Sequence, residues 1–187
     1  MKDRRLGLFG GTFDPPHRGH VAALEAASSS GRFDRIVVTV AGDPYLKSRN
    51  VDSPDLRLAM AHAAFDDIAL VEVSDLEIRR TGPTYTIDTV RELLANADAL
   101  DLIVGADLAS QLSEWHKSDE LRKLVEVGIV PRPGSTTPLL SGWRWYEISM
   151  RPVDLSSTFV RDMSLSDADL KNFLPVSVIP LFMRARG

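Results

Sequence analysis

Apolar residues in this chain alternate between short β-branched runs and longer stretches where they recur every three or four positions. Leu6-Gly7-Leu8-Phe9 predicts a first strand. Ile36-Val37-Val38-Thr39-Val40 predicts a second, apolar enough to be buried on both faces. Ile68 to Val73, Leu100 to Val104 and Val127 to Val130 read as further strands, and Trp145 to Ser149 as a short last one. The helical register returns between them, first from Val21 to Ala27, ending at Ser28-Ser29-Ser30-Gly31. Ser53 caps a second helix, with Pro54 at its first position and Phe65 near its end. Thr86 to Asn96, Leu108 to Trp115 and Ser118 to Leu124 follow, the last with Asp119 and Glu120 in its first turn. Ser157, Ser166 and Pro175 open three more, although Pro180 predicts a break in the helix running to about Met183. Strands alternating with helices predict an α/β class fold. The expected architecture is a Rossmann-like doubly wound parallel sheet of about five or six strands with helices on both faces. A small C-terminal helical part would occupy residues 155–187 of a single domain spanning 1–187.

Composition narrows the chemistry. The 187 residues include no cysteine, which excludes thiolate zinc sites, disulfides and thiol catalysis, and agrees with a cytoplasmic location. The first residues carry only a four-residue apolar run, too short for a secretory signal. No window approaches the roughly 18 apolar residues of a membrane span, so no membrane partner is expected. A net charge of −4 builds in no general attraction to polyanions, so nucleic acid is not an expected partner. A phosphate ligand would have to be held by local donors. Assembly into a homo-oligomer is left open.

Those donors concentrate in Gly10 to His20, GGTFDPPHRGH, directly after the first strand. Gly10 and Gly11 place no Cβ between backbone and ligand and can take angles closed to other residues. Asp14-Pro15-Pro16 sets a rigid, non-helical approach. If His17 starts a helical turn, His20 lies three residues on and shares its face, with Gly19 between them leaving room for close approach. A helix N-terminus adds free N–H groups and partial positive charge, which favour phosphate. No further ligands are placed to make the two histidines a zinc site, and neither a Walker loop nor a strict GxGxxG is present.

GGTFDPPHRGH resembles the signature of the HxGH nucleotidyltransferases, which join a nucleoside triphosphate to a phosphate-bearing acceptor and release pyrophosphate. The resemblance implies that His17 and His20 touch the triphosphate, with Gly10, Gly11, Thr12, Phe13 and Gly19 around the ATP. It implies Mg²⁺ accompanying ATP, and a phosphate-holding lysine after the second strand, here Lys47, preceded by Leu46 where the family often has histidine. Leu155-Ser156-Ser157-Thr158-Phe159-Val160-Arg161 reads by itself as a helix N-cap with an arginine one turn on. Beside the first motif it resembles the family's second signature, which implies ATP contacts from Ser156, Ser157 and Thr158 and phosphate binding by Arg161.

A third stretch narrows the resemblance to nicotinate-nucleotide adenylyltransferases: Gly82-Pro83-Thr84-Tyr85-Thr86-Ile87-Asp88-Thr89, then Gly105-Ala106-Asp107, Trp115-His116 and Pro131-Arg132-Pro133-Gly134. The implied partners are ATP and nicotinate mononucleotide. Thr84, Tyr85 and Thr86 would receive the nicotinate carboxylate and Trp115 would stack on the pyridine ring. Gly105 would lie by the ATP and Asp107 by a ribose or the acceptor. Trp115 read without the family is equally a half-buried core aromatic and Lys47 equally a solvated loop residue, while for Asp107 a ribose or acceptor contact is favoured over a simple cap of the following helix. His116 reads as a surface residue. Two alternatives stay open: the same ATP chemistry on nicotinamide mononucleotide or phosphopantetheine, and a nucleotide-binding regulator without catalysis. The likeness thins after Arg161 and across 135–146.

Overall fold

The short apolar runs, most of them buried almost throughout, pair side by side in one parallel sheet. The computed structural model describes residues 3–43, 52–133, 140–151, 153–162 and 167–186. Among them are strands β1 (Leu6–Gly11), β2 (Arg35–Val40), β3 (Val71–Ser74), β4 (Leu100–Gly105), β5 (Val125–Val130) and β6 (Trp145–Glu147). Their order is β3-β2-β1-β4-β5-β6, every pair parallel. The order reverses between β1 and β4, the place where open α/β sheets hold ligands at the carboxyl ends of their strands.

The pleat sends alternate residues to opposite faces. Leu6, Leu8, Leu100, Leu102, Val104, Val125, Val127 and Ile129 enter one core, with residues of α3 (Thr86–Leu94), α4 (Ala106–Ala109) and α5 (Ser118–Leu124). Phe9, Ile36, Val38, Val40 and Ile103 enter the other, with residues of α1 (Arg18–Ser29) and α2 (Pro54–Phe65). A third cluster joins Met60 of α2 to Val160 of α6 (Ser157–Asp162), Leu170 of α7 (Asp167–Leu170) and Ile179 and Phe182 of α8 (Ile179–Arg184). At the amino end of the sheet the buried Asp101 carboxylate accepts from Arg5 (2.6 Å), Arg32 (2.5 Å) and the Tyr146 hydroxyl (3.0 Å), which ties β6 to β4. Burial pushes the Tyr146 hydroxyl pKa up, and the Asp101 charge adds to that.

Several boundaries differ from the sequence expectation, each for a local reason. β3 starts at Val71 rather than Ile68, because the Ile68 N–H turns back to the Phe65 carbonyl (3.0 Å) and Leu70 takes φ 64°. β5 starts two residues earlier than expected, β6 stops at Glu147, and α3 ends at Leu94 as Ala95 and Asn96 close i−3 turns. The helix expected over Leu108 to Trp115 is α4 followed by a 3-10 turn at Leu112–Glu114. α1 begins at Arg18, so His20 lies in its first turn. The last helix begins at Ile179 rather than Pro175. Pro180 is therefore in a first turn, where its missing N–H has no helical partner to lose, and no break occurs.

Candidate active site

A cavity of about 420 Å³ opens at the carboxyl ends of β1, β4 and β5, within the usual size of small-molecule sites. The turn after β1 forms one wall, with Gly10, Gly11, Thr12, Phe13, His17, Gly19 and His20. Thr84, Thr86, Gly105, Asp107 and Trp115 form a second, and Arg132, Ser156, Ser157 and Thr158 a third.

The turn achieves its shape differently from the sequence expectation. Gly10 and Gly11 end the strand, and the left-handed residue is Phe13, with φ 50°. Phe13 is 2% exposed and edge-on to both Phe65 and His20, at 5.4 and 5.2 Å between ring centres. The space freed at Gly11 is filled by the Phe13 ring, which a Cβ there would meet at 2.7 Å. Gly19 likewise makes room for the His17 imidazole, 3.0 Å from where its Cβ would stand. The peptide between Asp14 and Pro15 is cis.

His17 caps α1 and its ring stacks on His20, 3.7 Å between centres. The His17 N–H donates to Nδ1 of His20 (3.1 Å), so a neutral His20 carries its proton on Nε2. The His17 side chain is buried, and its Nδ1 has no hydrogen-bond partner among the described residues. Burial, with the Arg132 charge second, lowers its pKa from 6.5 to about 4, so it works as a neutral imidazole near pH 7. The unfolded chain then takes up a proton that the folded one refuses. The stability tied to neutral His17 is complete above pH 6.5 and is lost as pH falls from 6.5 toward about 4. The loss amounts to roughly 3 kcal/mol. Urea denaturation of wild type across that window is expected to show this loss, and His17→Asn a shallower slope; equal slopes would refute the assignment.

The wall holding Ser156 to Thr158 is fastened to this turn. The Ser157 hydroxyl donates to the Pro15 carbonyl (2.9 Å), and Ser156 Oγ accepts from the Phe159 N–H (3.1 Å). The Arg161 guanidinium donates to the Asp14 carbonyl, lies 3.6 Å from its carboxylate and donates to the Thr158 hydroxyl (3.2 Å). Arg132 Nη1 donates to the Leu155 carbonyl (2.5 Å), and its Nε lies 3.7 Å from Asp107. Residues far apart in sequence thus converge on one turn, and two guanidinium groups stand beside the stacked imidazole pair. Such a set can bind and stabilise polyanionic phosphate.

The sequence profile of the cytidylyltransferase-like family matches residues 8–163. A probable nicotinate-nucleotide adenylyltransferase of Exiguobacterium sibiricum is 35% identical over 176 residues, covering 93% of each chain. A protein of Gemmatimonas aurantiaca with the same name is 36% identical over 184 residues, 93% of this chain and 87% of its own. The chain belongs to the nicotinate-nucleotide adenylyltransferase family. Its fold is also that of the Plasmodium falciparum nicotinic acid mononucleotide adenylyltransferase solved with NaAD, with TM-score 0.79 over 97% of this chain and 96% of that one at 19% identity.

Most residues that the resemblance to this adenylyltransferase family singled out come together in the cavity, and two of the described ones do not line it. Tyr85 caps α3, packs against the core and stacks on His116 at 4.1 Å, which gives the exposed His116 a contact that the surface reading missed. Arg161 stands behind the cavity wall on Asp14. Lys47 lies outside the described residues. Two expected donors are partly used: the Thr84 N–H donates to the Asp43 carbonyl (3.4 Å) and the Arg18 N–H, first in α1, to the Phe173 carbonyl (2.8 Å). Trp115 packs against the core while also lining the cavity, and its indole N–H has no partner among the described residues. The core-aromatic reading of that residue therefore applies.

Sequence reasoning gave no role to Arg132, Glu77 or Arg57. Arg132 stood in a recognised turn, between two prolines at the end of a strand. Glu77 is 6% exposed, lines the cavity and accepts from the Thr89 hydroxyl (2.8 Å), and burial raises its pKa. Arg57 sits in phase with Met60, Ala61 and Phe65 on the buried face of α2. A charge in a core position was its readable signal.

Proposed function

We propose that this cavity transfers the adenylyl group of ATP to nicotinate mononucleotide, giving deamido-NAD and pyrophosphate in NAD biosynthesis. An acceptor phosphate oxygen bonds to the α-phosphorus, the bond to the bridging α,β-oxygen breaks, and pyrophosphate leaves with that electron pair. Alignment and charge support supply most of such a reaction's catalysis. The observation that carries the reading is the single cavity: the His17–His20 pair and Ser156 to Thr158 face the same space as Thr84, Thr86 and Trp115.

In this reading the ATP tail lies along the turn of β1 and the first turn of α1. There His17 and His20 donate to phosphate oxygens, and Arg161 and Lys47 add charge. Gly105 and Asp107 flank the nucleoside. The acceptor ring stacks on Trp115 with its carboxylate toward Thr84, Tyr85 and Thr86 at the start of α3. No side chain caps α3, so its N-terminal N–H groups and positive dipole end favour a carboxylate over a carboxamide.

Magnesium enters as the counter-ion of ATP. Such an ion keeps several waters and binds substrate phosphates. Among the described residues no group of three or more His, Cys, Asp or Glu could cage one, so the triphosphate would supply most of its ligands. The ion, when bound, neutralises charge on the departing pyrophosphate. Also among the described residues, no helix is long and apolar enough to cross a membrane, which accords with work in the cytoplasm.

Turnover of the purified protein with each acceptor in parallel tests the assignment. Nicotinate mononucleotide is expected to exceed nicotinamide mononucleotide by at least about tenfold in kcat/KM, as a helix-dipole preference of up to roughly 2 kcal/mol allows. Greater efficiency with phosphopantetheine or nicotinamide mononucleotide would reject it. ATP binding without pyrophosphate release with any acceptor would point instead to a regulator.

A further inference from the structure

Among the described residues Arg57 is the largest fully buried side chain, with 0% exposure, and four of its hydrogen bonds go to backbone carbonyls. Its Nη1 donates to Thr12 (3.0 Å) and Ala41 (2.7 Å), Nη2 to Gly42 (3.3 Å) and Nε to Asp52 (2.9 Å). These carbonyls belong to three segments: the turn after β1, the carboxyl end of β2, and the residue before the cap of α2. We propose that Arg57 is a positioning residue for catalysis, acting through Thr12 to hold the triphosphate turn in its reactive shape. The inference rests on the adenylyl-transfer reading above.

Three observations support it. First, Phe13 is held at φ 50°, a conformation that is strained for a bulky residue and persists only where surrounding contacts enforce it. The guanidinium grips the carbonyl of the peptide immediately before Phe13, and in a trans peptide that turns the Phe13 N–H away from Arg57. Second, the same group fastens Gly42 and Asp52, so the turn is fixed against β2 and α2 together. The Ala41 N–H adds to this by donating to the Gly11 carbonyl (2.9 Å). Third, carbonyls offer only partial negative charge. Burial draws the Arg57 pKa below the usual guanidinium value, and Asp14 and Asp52 offset part of that. A bare stability role would be served more cheaply by an apolar side chain in this position. Only a planar fork with five fixed donors reaches carbonyls in several directions, which a lysine ammonium cannot reproduce.

Arg57→Lys and Arg57→Gln provide the test, with folding checked by circular dichroism and a cooperative melt. Per folded molecule, kcat is expected to fall between about tenfold and 100-fold, the usual consequence of a displaced reacting group. The KM for ATP rises while that for the acceptor holds. Calorimetric titration with a non-hydrolysable ATP analogue is expected to show the same weakening, whichever acceptor the enzyme uses. Failure of wild type to adenylylate nicotinate mononucleotide would therefore count against the proposed function alone. Unchanged kcat and analogue affinity in a folded variant would overturn the Arg57 assignment, as would equal rises in both KM values. So would failure of both variants to fold at low temperature, since Arg57 would then serve the fold at large.

Discussion

Replacing His20 with alanine is expected to slow turnover with ATP and nicotinate mononucleotide by roughly 100- to 1,000-fold, the usual cost of removing one preorganised donor to developing negative charge. The ring is fixed before substrate arrives. Its Nδ1 is engaged by the His17 N–H, its face lies on the His17 ring and its flank on Phe13. The proton of the neutral form is therefore committed to Nε2, and that donor needs no reorganisation during reaction. Loss of a group that acts on charge appearing only as pyrophosphate departs lowers kcat more than it raises the KM for ATP. Removing Nδ1 also deletes a local cap worth about 1 kcal/mol, so a modest drop in melting temperature accompanies the kinetic defect without explaining it. A kcat within about threefold of wild type, under 1 kcal/mol of barrier, would remove His20 from the mechanism.

What the sequence disclosed follows from how local each cause is. The α/β alternation and the parallel sheet were readable because strands buried on both faces, such as Ile36 to Val40, cannot be mistaken for exposed elements. The first motif was readable because its chemistry lies within eleven consecutive residues. Arg57 was hidden because its function consists of contacts with carbonyls up to 45 residues away, which leave no mark on the identity of those residues. The positive φ at Phe13 was hidden for a related reason. Two glycines invited the left-handed turn, but the packing of Phe13 between Phe65 and His20 moved it to an aromatic residue. Tyr85 carries a contact that the sequence did not disclose. Its place in a recognised run suggested ligand contact, whereas its ring turns to His116 and the core.

Removal of the Arg161 guanidinium, as in Arg161→Met, is expected to lower kcat/KM for ATP by roughly 10- to 100-fold, the equivalent of one charge-assisted hydrogen bond of about 1.5–3 kcal/mol. The acceptor KM should stay near its wild-type value. The guanidinium is held beside the triphosphate turn by the Asp14 carbonyl and the Thr158 hydroxyl, and Arg186 donates to the Arg161 carbonyl (2.9 Å), so the C-terminal helices brace it from behind. Arg161 is 27% exposed, and Asp14 satisfies only part of its five-donor fork, which leaves donors free for phosphate beside Thr158, a residue of the cavity wall. The competing role is a bolt between α6 and the turn of β1. The two roles separate cleanly in measurement. A bolt would show as a lower melting temperature with kcat/KM per folded molecule unchanged, and Arg161→Lys would recover little of that stability. A phosphate ligand instead shows as weaker ATP use at full folding, with Arg161→Lys recovering part of the charge effect but not the planar two-point grip. Retention of wild-type ATP kinetics in a folded Arg161→Met enzyme would assign this arginine to architecture alone.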